Sequence, residues 1–326
     1  MKVLHLLSSD SFSGAENVAI SIIENLRDND NYEFVYVSKD GEIRKVLDEK
    51  GINHHLVSEI NLKSVKKIIE EEKPDIIHAH DYRASTFTAL TGFKGKIISH
   101  IHNNWPFAKK WNKYTIIFKT VSRKFDNIVF VSTATFDEAV YKKSVEEKSL
   151  VLPNIIDKEK IKKLSQETNE YGKFDVGFIG RITEQKNPEQ FVRIVEKISE
   201  KKNVKAVMIG AGEIDTKKLD IKKTGYLENP YRVLKDCKCV VMPSRWEGFG
   251  LTAIECLSLN VPVFNSGVGG LSEIFAENEE YICKTDEEYI EKILNYLENP
   301  EKPKVNIDRF TDKKAYYGKI KELYES

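Results

Sequence analysis

Short apolar runs alternate with amphipathic segments from one end of this chain to the other, and that alternation limits the fold more than any single motif does. Seven runs come first: Val3–Leu7, Phe34–Val37, His55–Val57, Ile76–Ala79, Ile97–Ile101, Ile128–Val131 and Leu150–Leu152. Each is too short for a helix and nearly unbroken in apolar character, as strands buried on both faces of a parallel sheet are. Segments with helical spacing separate them, among them Ala15–Leu26, Leu62–Glu71 and Thr133–Tyr141. Strand, helix, strand in strict succession predicts a doubly wound α/β unit.

The rhythm breaks at Leu152-Pro153-Asn154 and the chain turns polar as far as Lys173. A second series follows: Val176–Ile179, Ala206–Ile209, Cys239–Met242 and Val261–Phe264, with helices such as Pro188–Ile198 and Glu287–Leu297 between them. We therefore expect two domains, residues 1–160 and 161–310, with the boundary near residue 160. The last segment, Thr311–Tyr324, carries Tyr316, Tyr317, Ile320 and Leu323 at helical spacing. The expected fold class is α/β, two Rossmann-like doubly wound parallel-sheet domains facing across a cleft. Ligands in such folds sit beyond the C-terminal ends of the strands.

Composition narrows the class of partner. The 51 basic and 51 acidic residues balance, so no overall field favours nucleic acid. The four cysteines, 237, 239, 256 and 283, have no metal-site spacing and read as reduced core thiols, which fits a cytoplasmic protein. The opening MKVLHLLSS is too short an apolar run for a secretory signal. No run approaches the roughly 20 apolar residues of a membrane span, so the chain is expected to be soluble or to lie on a membrane surface.

Several stretches carry chemistry. Met242–Glu273 reads as strand, glycine loop, helix, strand, glycine loop, with Glu247 in the first loop and Glu255 about one turn into the helix. Glycines let a backbone approach a ligand, and a helix N-terminus offers N–H groups to an anion. The combination suits a ligand with phosphates at one end and hydroxyls at the other. Gly180-Arg181 and then Lys186 follow the first strand of the second half, where two cations could neutralise a diphosphate. Ser13-Gly14-Ala15-Glu16 opens the first helix at the position where a doubly wound sheet receives phosphate. Gly210-Ala211-Gly212 begins like a dinucleotide fingerprint but lacks its third glycine. The only D-x-D, Asp28-Asn29-Asp30, follows a helix at the wrong end of the sheet and reads as a surface turn.

His78, His80, His100 and His102 form two H-x-H pairs at strand ends. Alternate residues share a strand face, so each pair points one way. Metal binding and structural roles compete with a substrate-facing His102, the residue best placed at its strand end. From Arg83 through Phe125 there are nine basic residues and no acidic one, with Trp105 and Trp111 among them. Interleaved aromatics and cations over residues 105–124 suit an anionic membrane surface, with RNA contact or a plain solvated face as the alternatives.

Taken in order, these pieces resemble the retaining glycosyltransferases of the GT-B fold, specifically family 4, the glycosyl transferases group 1. The resemblance rests on Ser13–Glu16, Pro74–His80, His100–His102, Leu152–Asn154, Gly180–Lys186 and Pro243–Glu255, followed by Pro262-Val263 and Gly269-Gly270. It implies that Glu255 holds the ribose hydroxyls and Glu247 the donor sugar. Gly248, Phe249, Gly250 and Leu251 would cradle the distal phosphate and sugar. Arg181 and Lys186 would stabilise the departing diphosphate, with Gly180 beside them and Gly14 approaching from the first domain. His102 matches the active-site histidine, Gly225-Tyr226-Leu227 the region against the base, and the last helix would cross back to the first domain. Asn187 and Asn260 stand where the family often has glycine, and asparagine enters the left-handed region readily. Ile155 replaces the glycine after Pro-Asn, and a β-branched residue resists positive φ, which bears on the hinge between the domains.

The activity so implied is metal-independent, retaining transfer of a sugar from a UDP- or GDP-sugar, without cofactor. The acceptor would be a hydroxyl of a lipid-linked or oligosaccharide substrate, in surface polysaccharide or glycolipid synthesis at the inner face of the cell membrane. The alternatives are a catalytically silent GT-B protein that binds a nucleotide sugar, and a GT-B nucleotide-sugar epimerase.

Overall fold

The computed structural model describes residues 1–11 and 13–326. They form two compact units, Met1–Asn154 with Lys313–Ser326, and Ile155–Asp312. The first unit ends a few residues before the boundary expected near residue 160, because the helix that follows packs on helices of the second unit.

In the first unit the strands are β1 (Lys2–Leu6), β2 (Glu33–Lys39), β3 (His54–Val57), β4 (Ile76–Ala79), β5 (Lys96–Ile101), β6 (Asn127–Phe130) and β7 (Ser149–Val151). They lie in the order β3-β2-β1-β4-β5-β6-β7, and every pairing is parallel. The helices are α1 (Gly14–Leu26), α2 (Ile43–Glu49), α3 (Leu62–Glu72), α4 (Tyr82–Thr91), α5 (Lys113–Val121) and α6 (Thr133–Asp137). Local sequence fixes their starts: Asn61 and Asn112 each form a reciprocal capping box, and Asp81 and Ser132 accept from backbone amides three residues on. The helix expected over 133–141 stops at Asp137. Leu4, Leu6, Val35, Val37 and Ile77 from the sheet pack with Val65 and Ile68 of α3, while Phe118 of α5 joins Ile97, Ile128 and Phe130.

The second unit holds α7 (Lys158–Ser165), β8 (Phe174–Ile179), α8 (Pro188–Ser199), β9 (Ala206–Ile209), β10 (Ile221–Gly225) and α9 (Tyr231–Leu234). After them come β11 (Cys237–Met242), α10 (Leu251–Ser258), β12 (Val263–Asn265), α11 (Gly270–Ile274) and α12 (Asp286–Glu298). The sheet order is β10-β9-β8-β11-β12, again all parallel. Strand β10 escaped the sequence reading because IKKTG is an edge strand whose lysines face solvent. The four cysteines are free and buried, Cys237 included.

The closing helix, α13 (Lys313–Glu325), belongs to the first unit, packed on α1. The Ser21 and Tyr317 hydroxyls lie 2.7 Å apart, and Tyr32 donates to the Glu325 carboxylate at 2.6 Å. Both sheets reverse their strand order once, between β1 and β4 and between β8 and β11. The loops leaving those strands are where open α/β sheets of this kind receive ligands. Among the described residues no helix is long and apolar enough to cross a membrane.

Candidate active site

In the second unit the loops after β8 and β11 are tied together. The Arg245 amide donates to the Gln185 carbonyl at 2.8 Å, the Gln185 side chain to the Trp246 carbonyl at 3.2 Å, and Asn187 to the Pro243 carbonyl at 3.2 Å. Asn187 takes up φ 53° and Asn260 φ 59°, the left-handed turns anticipated for them. Ile155 is not among the residues with positive φ. Gly180 has φ 147°, and a Cβ there would lie 3.2 Å from the Lys186 side chain, so glycine leaves the space across which Lys186 folds back.

Lys186 ends on Glu247, Nζ to Oε2 at 2.7 Å, with side chains 17% and 11% exposed. Arg181, in the same loop, is exposed. Gly248 and Phe249 are buried, and the Phe249 ring meets Phe310 edge-on at 5.2 Å. Gly250 enters α10 at φ 103°, where a Cβ would come within 2.8 Å of Leu271. Leu251 starts the helix, and Glu255 follows one turn later, as expected from the spacing. Tyr231 of α9, which the sequence reading passed over, donates to Glu255 Oε1 at 3.0 Å. Burial raises the Glu255 carboxyl above its usual range, opposed by the Tyr231 hydroxyl and by the charge of Lys186. Tyr226, 62% exposed, and Leu227 follow β10, two strands away from β8. The site thus gathers a cation pair, two carboxylates and a helix N-terminus at one sheet reversal, the groups that a polyanion bearing hydroxyls requires.

In the first unit Gly14 is the exposed first residue of α1, and a Cβ there would meet nothing within 4 Å. The packing of this unit does not itself demand the glycine. Glu16, in the first turn, is only 3% exposed, accepts from the Ser13 hydroxyl, and is pushed up by burial. Asp28-Asn29-Asp30 lies in the turn after α1, as anticipated.

The two H-x-H pairs come together with a fifth imidazole, His5 of β1. Register explains it: His5 pairs with His78 across β1 and β4, and β5 brings His100 alongside. His102 stacks on His100, with ring centroids 4.0 Å apart. All five rings are held neutral by burial, His5 and His102 down to about 3 and the other three well below the usual value. His102 Nδ1 is buried without a partner among the described residues. Nitrogens of His5, His78 and His80, and of His80, His100 and His102, lie close enough together to hold a metal ion.

Two parallel-sheet α/β units, each with one strand-order reversal, are the architecture of the GT-B glycosyltransferases. The structure of Anabaena Alr3699/HepE in complex with UDP and glucose is similar over 100% of both chains, with a TM-score of 0.82 at 18% identity. Residues 12–160 match the model of Glycosyltransferase Family 4, and residues 159–311 that of Glycosyl transferases group 1. The chain belongs to this family 4 (group 1) of GT-B glycosyltransferases. A Methanocaldococcus jannaschii relative, the glycosyltransferase MJ1059, is 31% identical over 62% of this chain; the match spans 58% of that relative, less than two thirds of its length. An Escherichia coli UDP-Gal:alpha-D-GlcNAc-diphosphoundecaprenol alpha-1,3-galactosyltransferase is 23% identical over 83% of this chain and 80% of its own.

Proposed function

We propose that this glycosyltransferase moves a sugar, with retention and without a metal ion, from a nucleoside diphosphate donor to a hydroxyl of a lipid-linked or oligosaccharide acceptor. The observation that carries the donor half is Lys186 folded over Gly180 onto Glu247, eight residues before Glu255 and its Tyr231 partner. Glu255 binds the ribose hydroxyls. Lys186, Arg181 and the N-terminus of α10 stabilise the charge that grows on the leaving diphosphate, the part a divalent cation plays elsewhere. Glu247, anchored by Lys186, is held to accept from sugar hydroxyls and is not free to attack the anomeric carbon. In a front-face transfer the leaving phosphate oxygen takes the acceptor proton, so no protein nucleophile is required. The first unit binds the acceptor, and His102 meets the reacting sugar.

A uridine donor is favoured by the UDP named in the Anabaena structure and in the E. coli galactosyltransferase. The latter's diphosphoundecaprenol acceptor supports a lipid-linked substrate at the inner face of the membrane. In support of membrane contact, α5 turns Tyr114, Ile116, Ile117 and Lys119 outward beside the exposed Trp111, with no carboxylate between residues 83 and 125 in the sequence.

A thermal-shift screen against UDP, GDP, ADP and their sugar conjugates tests the donor. We expect UDP-sugars to stabilise the wild type and Glu255→Ala to lose that stabilisation. Sugar transfer should fall in Arg181→Ala and Lys186→Ala more than donor affinity does. Wild-type transfer rates in all three variants would remove the assignment, and binding without turnover would make the chain a silent nucleotide-sugar binder.

A further inference from the structure

Five histidines, four of them buried, and Tyr324 are joined in one unbranched chain of side-chain hydrogen bonds. His102 Nε2 lies 3.0 Å from His80 Nδ1, and His80 Nε2 lies 2.8 Å from His5 Nδ1. His5 Nε2 reaches the Tyr324 hydroxyl at 3.3 Å, that hydroxyl reaches His78 Nδ1 at 2.9 Å, and His78 Nε2 lies 3.2 Å from His100 Nδ1. The chain starts just past β5, passes the end of β4 to β1, turns at the C-terminal helix and returns through β4 to β5. Its two ends, His102 Nδ1 and His100 Nε2, are both buried and both without a partner among the described residues.

Counting protons gives this arrangement its meaning. A neutral imidazole carries one ring proton and a phenol one, so the six groups hold six protons for five hydrogen bonds. With the Tyr324 hydroxyl donating inside the chain, each bond takes one and the sixth sits on one end. Only two arrangements then satisfy every bond. In the first, His102 Nδ1 bears a hydrogen, the donors run from His100 toward His102, and His100 Nε2 is bare. In the second, every bond is reversed, His102 Nδ1 is bare and His100 Nε2 is protonated. Passing from the second to the first adds a proton at His102 Nδ1, moves one proton along each bond, and releases one from His100 Nε2. The number of protons and the charge are conserved.

We propose that this chain couples the tautomer of His102 to that of His100 through Tyr324, so that Tyr324, His5 and His80 are positioning residues that decide whether His102 Nδ1 donates or accepts. The proposal rests on the reading of His102 as the substrate-facing histidine for its consequence in catalysis, though the coupling itself does not. Metal binding would have to break the hydrogen bonds that already engage eight of the ten ring nitrogens. The neighbouring ionisable groups do not enter the chain. Tyr32, edge-on to Tyr324, donates to Glu325, and Asp81 accepts from the Ser8 and Ala84 amides and the Ser8 hydroxyl.

Nitrogen NMR of the full-length protein with labelled histidine rings tests it without any ligand. In the wild type near neutral pH, we expect one of His100 Nε2 and His102 Nδ1 to be protonated and the other bare. Tyr324→Phe keeps the ring but cuts the chain three hydrogen bonds from His102, and the His102 nitrogen shifts should move although that ring does not touch residue 324. Both ends protonated or both bare in the wild type would overturn the proposal, as would His102 shifts unmoved in a folded Tyr324→Phe. Should that variant fail to fold, His5→Gln cuts the same path and carries the same expectation, and the wild-type spectrum decides alone. Turnover of UDP-glucose in the same samples reports on His102 separately. A fall in kcat of about tenfold at unchanged KM supports its catalytic reading; an unchanged kcat with the coupling intact removes that reading and leaves the chain standing.

Discussion

Lys186 and Glu247 sit far apart in the sequence and are joined in a site that shields both from water. Removing one partner of such a pair leaves an uncompensated charge, which costs about 3 kcal/mol where burial is substantial. Lys186→Met and Glu247→Leu are each expected to lower the urea midpoint of the second unit, and the double variant to recover most of the loss while remaining inactive. Single variants no less stable than the double one would show that the pair is held by solvent and not by its surroundings. Tyr231→Phe leaves Glu255 buried with one donor fewer. Nucleotide affinity should fall about fivefold, the worth of one such hydrogen bond, and calorimetry with UDP would expose the idea as wrong if it were unchanged. Glu247 and Glu255 were legible from their spacing beside glycines. Tyr231 was not, because a tyrosine after Asn-Pro signals nothing until α9 is placed beside α10.

Among the elements, the strands buried on both faces were the most legible, since an apolar run bounded by polar turns has few other uses. Strand β10 was invisible for the opposite reason: at the sheet edge its lysines face water and only backbone hydrogen bonds define it. Helix α5 shows what a sequence says well. Its buried face is Thr115, Phe118 and Val121, and its outer face offers Tyr114, Ile116 and Ile117 among lysines. Lys119 lies over the Trp111 ring at 5.2 Å, and these two residues with Ile116, Thr120 and Arg123 line a shallow groove of about 460 Å³. We expect the protein to sediment with vesicles containing anionic lipid, and the triple change of Lys109, Lys110 and Lys113 to Gln to weaken that binding by about 3 kcal/mol, near 1 kcal/mol per lysine. Vesicle binding that ignores lipid charge and salt would exclude an electrostatic surface here.

For the whole molecule the buried histidines have a consequence in acid. Their folded-state values lie below the ordinary 6.5, so below that pH the unfolded chain binds protons that the folded chain refuses. The stability they contribute is full above about pH 6.5 and is lost as pH falls, with a limiting slope of about 1.4 kcal/mol per pH unit for each ring, or about 7 for five. Glu16 and Asp81, raised by burial, act in the opposite sense, but they are two against five. The first unit should therefore unfold sharply between about pH 5.5 and 4.5, since few domains hold more than about 15 kcal/mol. Urea midpoints at successive pH values check this, and a midpoint unchanged from pH 7 to pH 5 would mean that the rings titrate inside the folded protein.

What the sequence determined by itself is whatever depends on local periodicity and on residues close in the chain. That covers the two parallel α/β units, the glycine loops after their strands, the Glu247 and Glu255 spacing, the left-handed asparagines and the basic aromatic segment. Those features follow from backbone sterics and from which side of an element meets water. Only the tertiary structure decided what depends on strands distant in sequence becoming neighbours. Parallel pairing set His5 beside His78 and His100, and the return of α13 supplied Tyr324, turning two H-x-H pairs into a continuous hydrogen-bonded chain. Hydrogen bonds between side chains are short and directional, and no one-dimensional pattern fixes a distance of 3 Å between residues hundreds of positions apart.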